Sequence, residues 1–214
     1  MSEAKIKPLS FKQSGLNENE WKILKKLKNP EKIQDFLDSL RFNFERRGET
    51  HFSVRYSLKR KKVHCFEGAL LAALALWMQG KRPLLMDLVT IRPDFDHIVA
   101  LFKQGKYWGA ISKTNHAVLR YRDPIYRNIR ELALSYFHEY FLGDGKKTLR
   151  KYSKPFDLSR CNTYWITTNE NLAELAHIID SSPHTRIFSP KQTRGLRKAD
   201  KVERRVANIT EWKR

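Results

Sequence analysis

Residues 65–78 read CFEGALLAALALWM, and this stretch decides the fold. Alanine and leucine are strong helix formers. The run is apolar on every side, which predicts a helix buried at the centre of a domain. Gln79-Gly80 follows, and glycine accepts the left-handed conformation that ends helices. Three strand-like runs come next: residues 84–91 (LLMDLVTI), 96–103 (DHIVALFK) and 106–112 (KYWGAIS). Gln104-Gly105 predicts a tight hairpin between the last two. A buried helix packed on a small antiparallel sheet is an α+β arrangement.

Working outward, residues 1–16 read as an N-terminal arm. Residues 17–28 read as a helix capped by Asn17, with Trp21, Leu24 and Leu27 on its apolar side. Asn29-Pro30 restarts the chain as a cap followed by proline in the first turn, and Ile33, Phe36, Leu37 and Leu40 continue at helical spacing. Residues 52–58 alternate weakly, which predicts an extended segment, and 59–62 form a basic run expected in a solvated loop. Beyond the sheet, Asp123-Pro124 reads as another helix start. Ile125, Ile129, Leu132, Tyr136 and Tyr140 carry it on until Gly143-Asp144-Gly145. Residues 150–161 read as loop. Thr167 and Glu170 have capping-box spacing before Leu172, Leu175, Ala176 and Ile179. The expected organisation is one domain over 17–180 with flanking helices. A basic C-terminal segment over 181–214 follows, with a last short helix at Val202, Val206 and Ile209.

The 214 residues include 42 Lys+Arg against 23 Asp+Glu, a net charge of +19. Such an excess suits nucleic acid, because lysine and arginine neutralise phosphates and release counterions. Its location tempers that reading. Residues 41–62 hold eight basic and two acidic side chains, and 186–214 hold ten and three. Residues 65–100 hold three basic and four acidic. Nucleic acid therefore stays a secondary partner, and no zinc-finger, RNP or helix-turn-helix signature supports it. No apolar run approaches the roughly 20 residues of a membrane span. An apolar signal core is missing from the first residues, and two cysteines make no disulfide framework, so a reducing cytoplasm is expected. Neither a GxGxxG nor a P-loop is present, so no nucleotide cofactor is expected. His64, His116 and His138 with Glu139 are ligand types without zinc-like spacing, so no metal is expected either.

Chemistry gathers at Cys65. A thiol at a helix start meets the positive end of the helix dipole and free N–H groups, both of which favour thiolate. Those N–H groups also suit an oxyanion. A cysteine nucleophile needs a base, and His97, opening the second strand, is the candidate. If Gln104 and Gly105 are the loop, paired residue numbers sum to 209 and His97 faces Ser112. Asn115, just beyond, is the better orienting group, because an amide oxygen accepts from an imidazole N–H. Ser112 is the weaker alternative. A cysteine on an apolar helix is commonly just a small buried residue, and a strand histidine is commonly structural. Cys161 reads as incidental.

The ordered set says more than its members. Over residues 63–112 a cysteine opens an Ala/Leu-rich helix, Gln-Gly-Lys-Arg-Pro leads into a strand, histidine opens the next (DHIVALF), and Gly-Lys-Tyr-Trp-Gly leads the third. This resembles the core of the transglutaminase-like superfamily, a branch of the papain-like cysteine-catalysed folds, and looks like bacterial members of unassigned substrate. The resemblance implies that Cys65 is the nucleophile and His97 the general base. It implies acyl transfer or amide hydrolysis of a peptide or protein through a thioester: a protease, a deamidase or a crosslinking enzyme. The surrounding positive charge suits an acidic substrate. In that family an aspartate usually lies four positions after the tryptophan. Here Ser112 stands at that distance from Trp108. Three outcomes are open. Asn115 completes a Cys-His-Asn set, or Asp94 or Asp96 turns inward, or activity is lost and the fold serves as a binding module for nucleic acid or an acidic partner.

Overall fold

Three capped helices open the fold in the computed structural model, which describes residues 6–213. Ser10 caps α1 (Phe11–Ser14), which ends on Gly15 at φ 66°. The Asn17 side chain accepts the Glu20 N–H and Glu20 accepts the Asn17 N–H, closing the first turn of α2 (Glu18–Lys25). Asn29 caps α3 (Pro30–Ser39), with Pro30 in its first turn. Residues 6–16 are not a free arm. Leu9 and Leu16 are buried, and the Ile6 and Leu9 N–H groups bond the Gly80 and Trp77 carbonyls. The expectation for residues 1–5, like that for Arg214, lies outside the described residues.

After β1 (Arg41–Phe42), the weakly alternating stretch is helix rather than strand, α4 (Val54–Arg60). The Ser53 hydroxyl accepts the Tyr56 N–H, and Val54, Ser57 and Leu58 then share one buried stripe. Lys61 at φ 52° ends the helix, and β2 (Lys62–Val63) pairs parallel with β1. The basic run is thus a helix end and a strand, not a loop.

Helix α5 (Cys65–Met78) follows, buried from Phe66 to Leu76. Then come β3 (Leu84–Val89), β4 (His97–Gln104), β5 (Tyr107–Ile111) and β6 (Arg122–Tyr126), α6 (Ile129–Ser135), β7 (Lys151–Ser153) and β8 (Phe156–Asp157). The chain closes with α7 (Tyr164–Thr167), α8 (Ala173–Asp180), β9 (His184–Arg186), α9 (Pro190–Arg194) and α10 (Lys201–Ala207). The main sheet runs β6-β5-β4-β3-β7-β9, with β8 also on β3, and its pairs are antiparallel. Leu85, Ile98, Ala100, Phe102 and Ile111 pack with α5 on one face. Met86, Leu88, Val99, Leu101 and Ala110 pack with Leu132, Ala133 and Tyr136 on the other. Burial on both faces explains why residues 84–91 read as a continuous apolar run.

Several expectations give way to stronger local chemistry. Gly105 at φ 60° takes the first place of the hairpin loop, so the loop is Gly105-Lys106 and Gln104 faces Tyr107. Paired numbers therefore sum to 211, not 209. Asp123-Pro124 lies in β6, because a proline without an N–H is tolerated on an edge strand. The real helix start is Asn128, whose side chain accepts the Glu131 N–H. Residues 150–161 contain β7 and β8 rather than a plain loop, because β3 offers both an antiparallel partner. Thr167 ends α7, and Thr168 turns the chain by accepting the Glu170 N–H. Residues 181–213 belong to the fold, since β9 pairs with β7. The last helix forms, but Val202, Val206 and Ile209 face solvent. Among the described residues no helix is long and apolar enough to cross a membrane.

Candidate active site

Cys65 is the first residue of α5 and is half-buried. Its neighbour His64 caps that helix. His64 Nε2 lies 2.7 Å from the Thr50 carbonyl, which only accepts, so Nε2 carries a proton. His64 Nδ1 accepts the Phe66 N–H at 3.3 Å when the ring is neutral, and lies 3.8 Å from Cys65 Sγ, to which it donates when the ring is charged. Burial opposes charge on this ring, but Cys65, Glu67 and Glu45 favour it and push its pKa up. Burial likewise favours the neutral Cys65 thiol, yet the hydrogen bond from His64 and positive charge on His97 and His64 hold it well below the ordinary thiol range. Glu67, fully buried one turn into α5, accepts the His64 N–H at 3.0 Å and side-chain bonds from Asn43 and Thr50. Burial pushes its carboxyl up against those donors.

The second histidine is fixed by Ser112. His97 Nε2 lies 2.7 Å from Ser112 Oγ, and both residues are buried. The Ser112 hydroxyl donates its single proton to the Leu119 carbonyl. It must therefore accept from His97, which puts the ring proton on Nε2 and leaves Nδ1 free as a base. The shift of the hairpin sum from 209 to 211 keeps His97 and Ser112 on one face of the sheet, because side chains alternate with a period of two. Their contact is diagonal rather than directly opposite.

Helices α3 and α5 hold Ser112 in place. Gln34 of α3 accepts the Ser112 N–H at 3.0 Å and donates to its carbonyl at 2.8 Å. Lys113 donates to the Leu37 and Leu40 carbonyls at the end of α3. Gly68 lets α5 lie against this segment, since a Cβ there would stand 2.7 Å from Lys113 Cβ. Leu119 itself sits at φ 62°, a costly conformation for a leucine. Glu139 holds it there by accepting the Leu119 N–H at 2.6 Å, while also pairing with Arg122 at 2.6 Å.

Asn115 does not orient His97. Its Oδ1 accepts the Trp212 N–H at 2.8 Å, its Nδ2 donates to the Trp212 carbonyl at 3.0 Å, and its own carbonyl accepts the Glu211 N–H. Both ends of the amide tie down the C-terminal segment, and neither bonds His97. The acidic alternatives are also engaged elsewhere. Asp94 bonds Thr148 and the Phe95 N–H, and Asp96 bonds the N–H and hydroxyl of Thr90. Of the predicted orienting groups, Ser112 alone touches His97. Cys161 lies beside Arg82 and Phe156, outside this site, and burial pushes its thiol up. His116 bonds the Ala207 carbonyl and His138 faces Lys147. Among the described residues no cluster of three or more His, Cys, Asp or Glu could hold a metal.

The site opens into a cavity of about 780 Å³, lined by Cys65, His64, His97, Asp87 and Tyr140 among others. Asp87, buried on β3, meets His184 Nε2 at 3.0 Å, while His184 Nδ1 lies 2.6 Å from the Ser182 carbonyl. Acceptors face both ring nitrogens, so the Asp87–His184 pair holds one extra proton between them. Burial raises the Asp87 pKa to about 7, against the opposing hydrogen bond from His184.

Sequence reasoning missed His64 as a partner of the thiol, although its place just before Cys65 at a helix start was a readable signal. Gln34, Leu119 and the Asp87–His184 pair left no such trace, being joined only through tertiary structure. No family model matches the chain, and comparison with curated proteins gives no match either.

Proposed function

We propose that this chain carries out cysteine-dependent acyl transfer or amide hydrolysis on a peptide or protein, in the manner of the transglutaminase-like enzymes it resembles. The observation that carries the reading is a helix-start thiol flanked by two histidines, one with its tautomer set by a buried serine. Cys65 Sγ attacks the amide carbonyl. The Cys65 N–H, which has no acceptor among the described residues, suits the oxyanion. His97 Nδ1 takes the Cys65 proton and gives it to the nitrogen of the leaving amine as the C–N bond breaks; water or a second amine then attacks the thioester, losing its proton to His97 Nδ1, which returns it to Cys65 Sγ as the C–S bond breaks. Ser112 replaces the usual carboxylate as a neutral acceptor. It orients the ring but contributes no charge to stabilise imidazolium.

That neutral partner also favours a second reading, a binding module on a fold that has lost its chemistry. Iodoacetamide alkylation of Cys65 across pH separates the two. The enzyme reading expects the rate to hold until below about pH 7. A rate that falls away with a midpoint near the ordinary thiol pKa of about 8.5 overturns it.

A further inference from the structure

A second concavity, of about 690 Å³, adjoins the cysteine cavity. Arg41, Arg46, Arg47, Arg60, Lys62 and Lys213 converge on it. Among the described residues none of the six makes an ion pair. The one carboxylate lining the groove, Glu45, is taken by the Thr50 N–H at 2.7 Å. Between the cations lie Phe42, Phe44, Phe52 and Trp212. Arg41 stands over the Trp212 ring at 5.7 Å and Arg60 over Phe52 at 5.7 Å. Six cations beside aromatic faces, against the single carboxylate of Glu45, make a site for an anionic ligand that also has apolar parts.

Two features favour polypeptide over nucleic acid. Phe42, Asn43, Phe44 and Glu45 border both the groove and the cysteine cavity, so a chain lying in one leads into the other. A ligand so placed presents its acyl groups to Cys65. Second, β1 and β2 form a two-stranded sheet by themselves. Arg41 gives its N–H to the Lys61 carbonyl just before β2 and Asn43 gives its N–H to the Val63 carbonyl, so the N–H and C=O of Phe42 turn to the open edge. An open strand edge pairs with an extended peptide backbone.

We propose that this groove binds an acidic stretch of a polypeptide substrate and feeds the adjoining residues to Cys65. The proposal rests on the acyl-transfer reading for its direction, but binding itself needs no chemistry. Fluorescence anisotropy on the full chain tests it with three labelled probes: a short Glu/Asp-rich peptide, the same peptide with Gln/Asn in place of the acids, and single-stranded DNA. The acidic peptide should bind about tenfold or more tighter than its amide counterpart. Binding should weaken steadily as salt rises from about 0.05 M to about 0.3 M, where screening shortens to a few ångströms. Arg46→Glu with Arg47→Glu should weaken it about tenfold or more, and Lys25→Glu with Lys28→Glu, on the exposed surface of the N-terminal helices, by less than about twofold. If the charge reversal unfolds the chain, Arg46→Gln with Arg47→Gln answers the same question. Equal affinity for the acidic and amide peptides overturns the proposal, as does equal loss in both double variants. DNA binding tighter than the acidic peptide, and lost with Arg46 and Arg47, assigns the groove to nucleic acid instead. Acidic-peptide binding alongside an ordinary Cys65 thiol would leave the groove standing and remove the catalytic reading.

Discussion

Ser112→Ala isolates the contribution of a neutral orienting group to a cysteine site. The substitution removes one oxygen but unpairs two groups, the buried His97 Nε2–H and the half-buried Leu119 carbonyl. Each buried polar group left unpaired costs about 1–3 kcal/mol. The total should fall near 2–4 kcal/mol, because Leu119 is strained and can relax once its carbonyl is released. The chemical effect is smaller. One net hydrogen bond of about 1 kcal/mol fixes the His97 tautomer. The midpoint of Cys65 alkylation by iodoacetamide should therefore rise, with His64 preventing a return to an ordinary thiol. Alkylation rate against pH and chemical denaturation on the same protein read the two effects separately. A variant whose stability and alkylation profile both match the parent refutes the assignment of Ser112 as the group that sets the His97 tautomer.

Three further outcomes follow from the geometry. Asn115→Ala should leave the alkylation midpoint of Cys65 in place and speed proteolysis of residues 208–213, measured by mass spectrometry of a timed digest; a midpoint shift of a full unit would restore Asn115 to the site. Gln34→Ala removes both clamps on the Ser112 backbone and should cost about 2–4 kcal/mol in urea unfolding, with loss below about 0.5 kcal/mol counting against the clamp. Asp87 has a folded pKa of about 7, above its unfolded value of 3.8, so the folded state binds the extra proton. Its contribution is full below pH 3.8 and is lost as pH rises through about 7. Asp87→Asn should flatten the fall in unfolding free energy between those limits, and a slope identical to the parent's would exclude Asp87 as its source.

The helix at residues 65–78 was legible because composition alone set it: no polar stripe competes with burial on any side. The three strands after it were legible for the same reason. Residues 52–58 were not, because a single capping serine, Ser53, outweighs a weak alternation. The hairpin was found but misplaced, since only the left-handed conformation of Gly105 says which of two adjacent pairs makes the turn. Cys65 and His97 could be named from their positions on elements. Asn115 was preferred to Ser112 on the chemistry of an isolated amide, and the structure reverses that ranking because the amide is claimed by Trp212. No local pattern announces a contact with a residue 97 positions away.

That separation sets an order of events. Cys65 and His97 are synthesised early, whereas Trp212 and the residues that hold Asn115 come 97 positions after it. At roughly 5–20 residues per second of translation, the last side of the cleft arrives about 5–20 s after Asn115. His184 trails Asp87 by the same 97 positions. A nascent chain therefore carries its thiol and base before it carries the wall beside them. Chain growth, as well as folding, times when the cleft is completed.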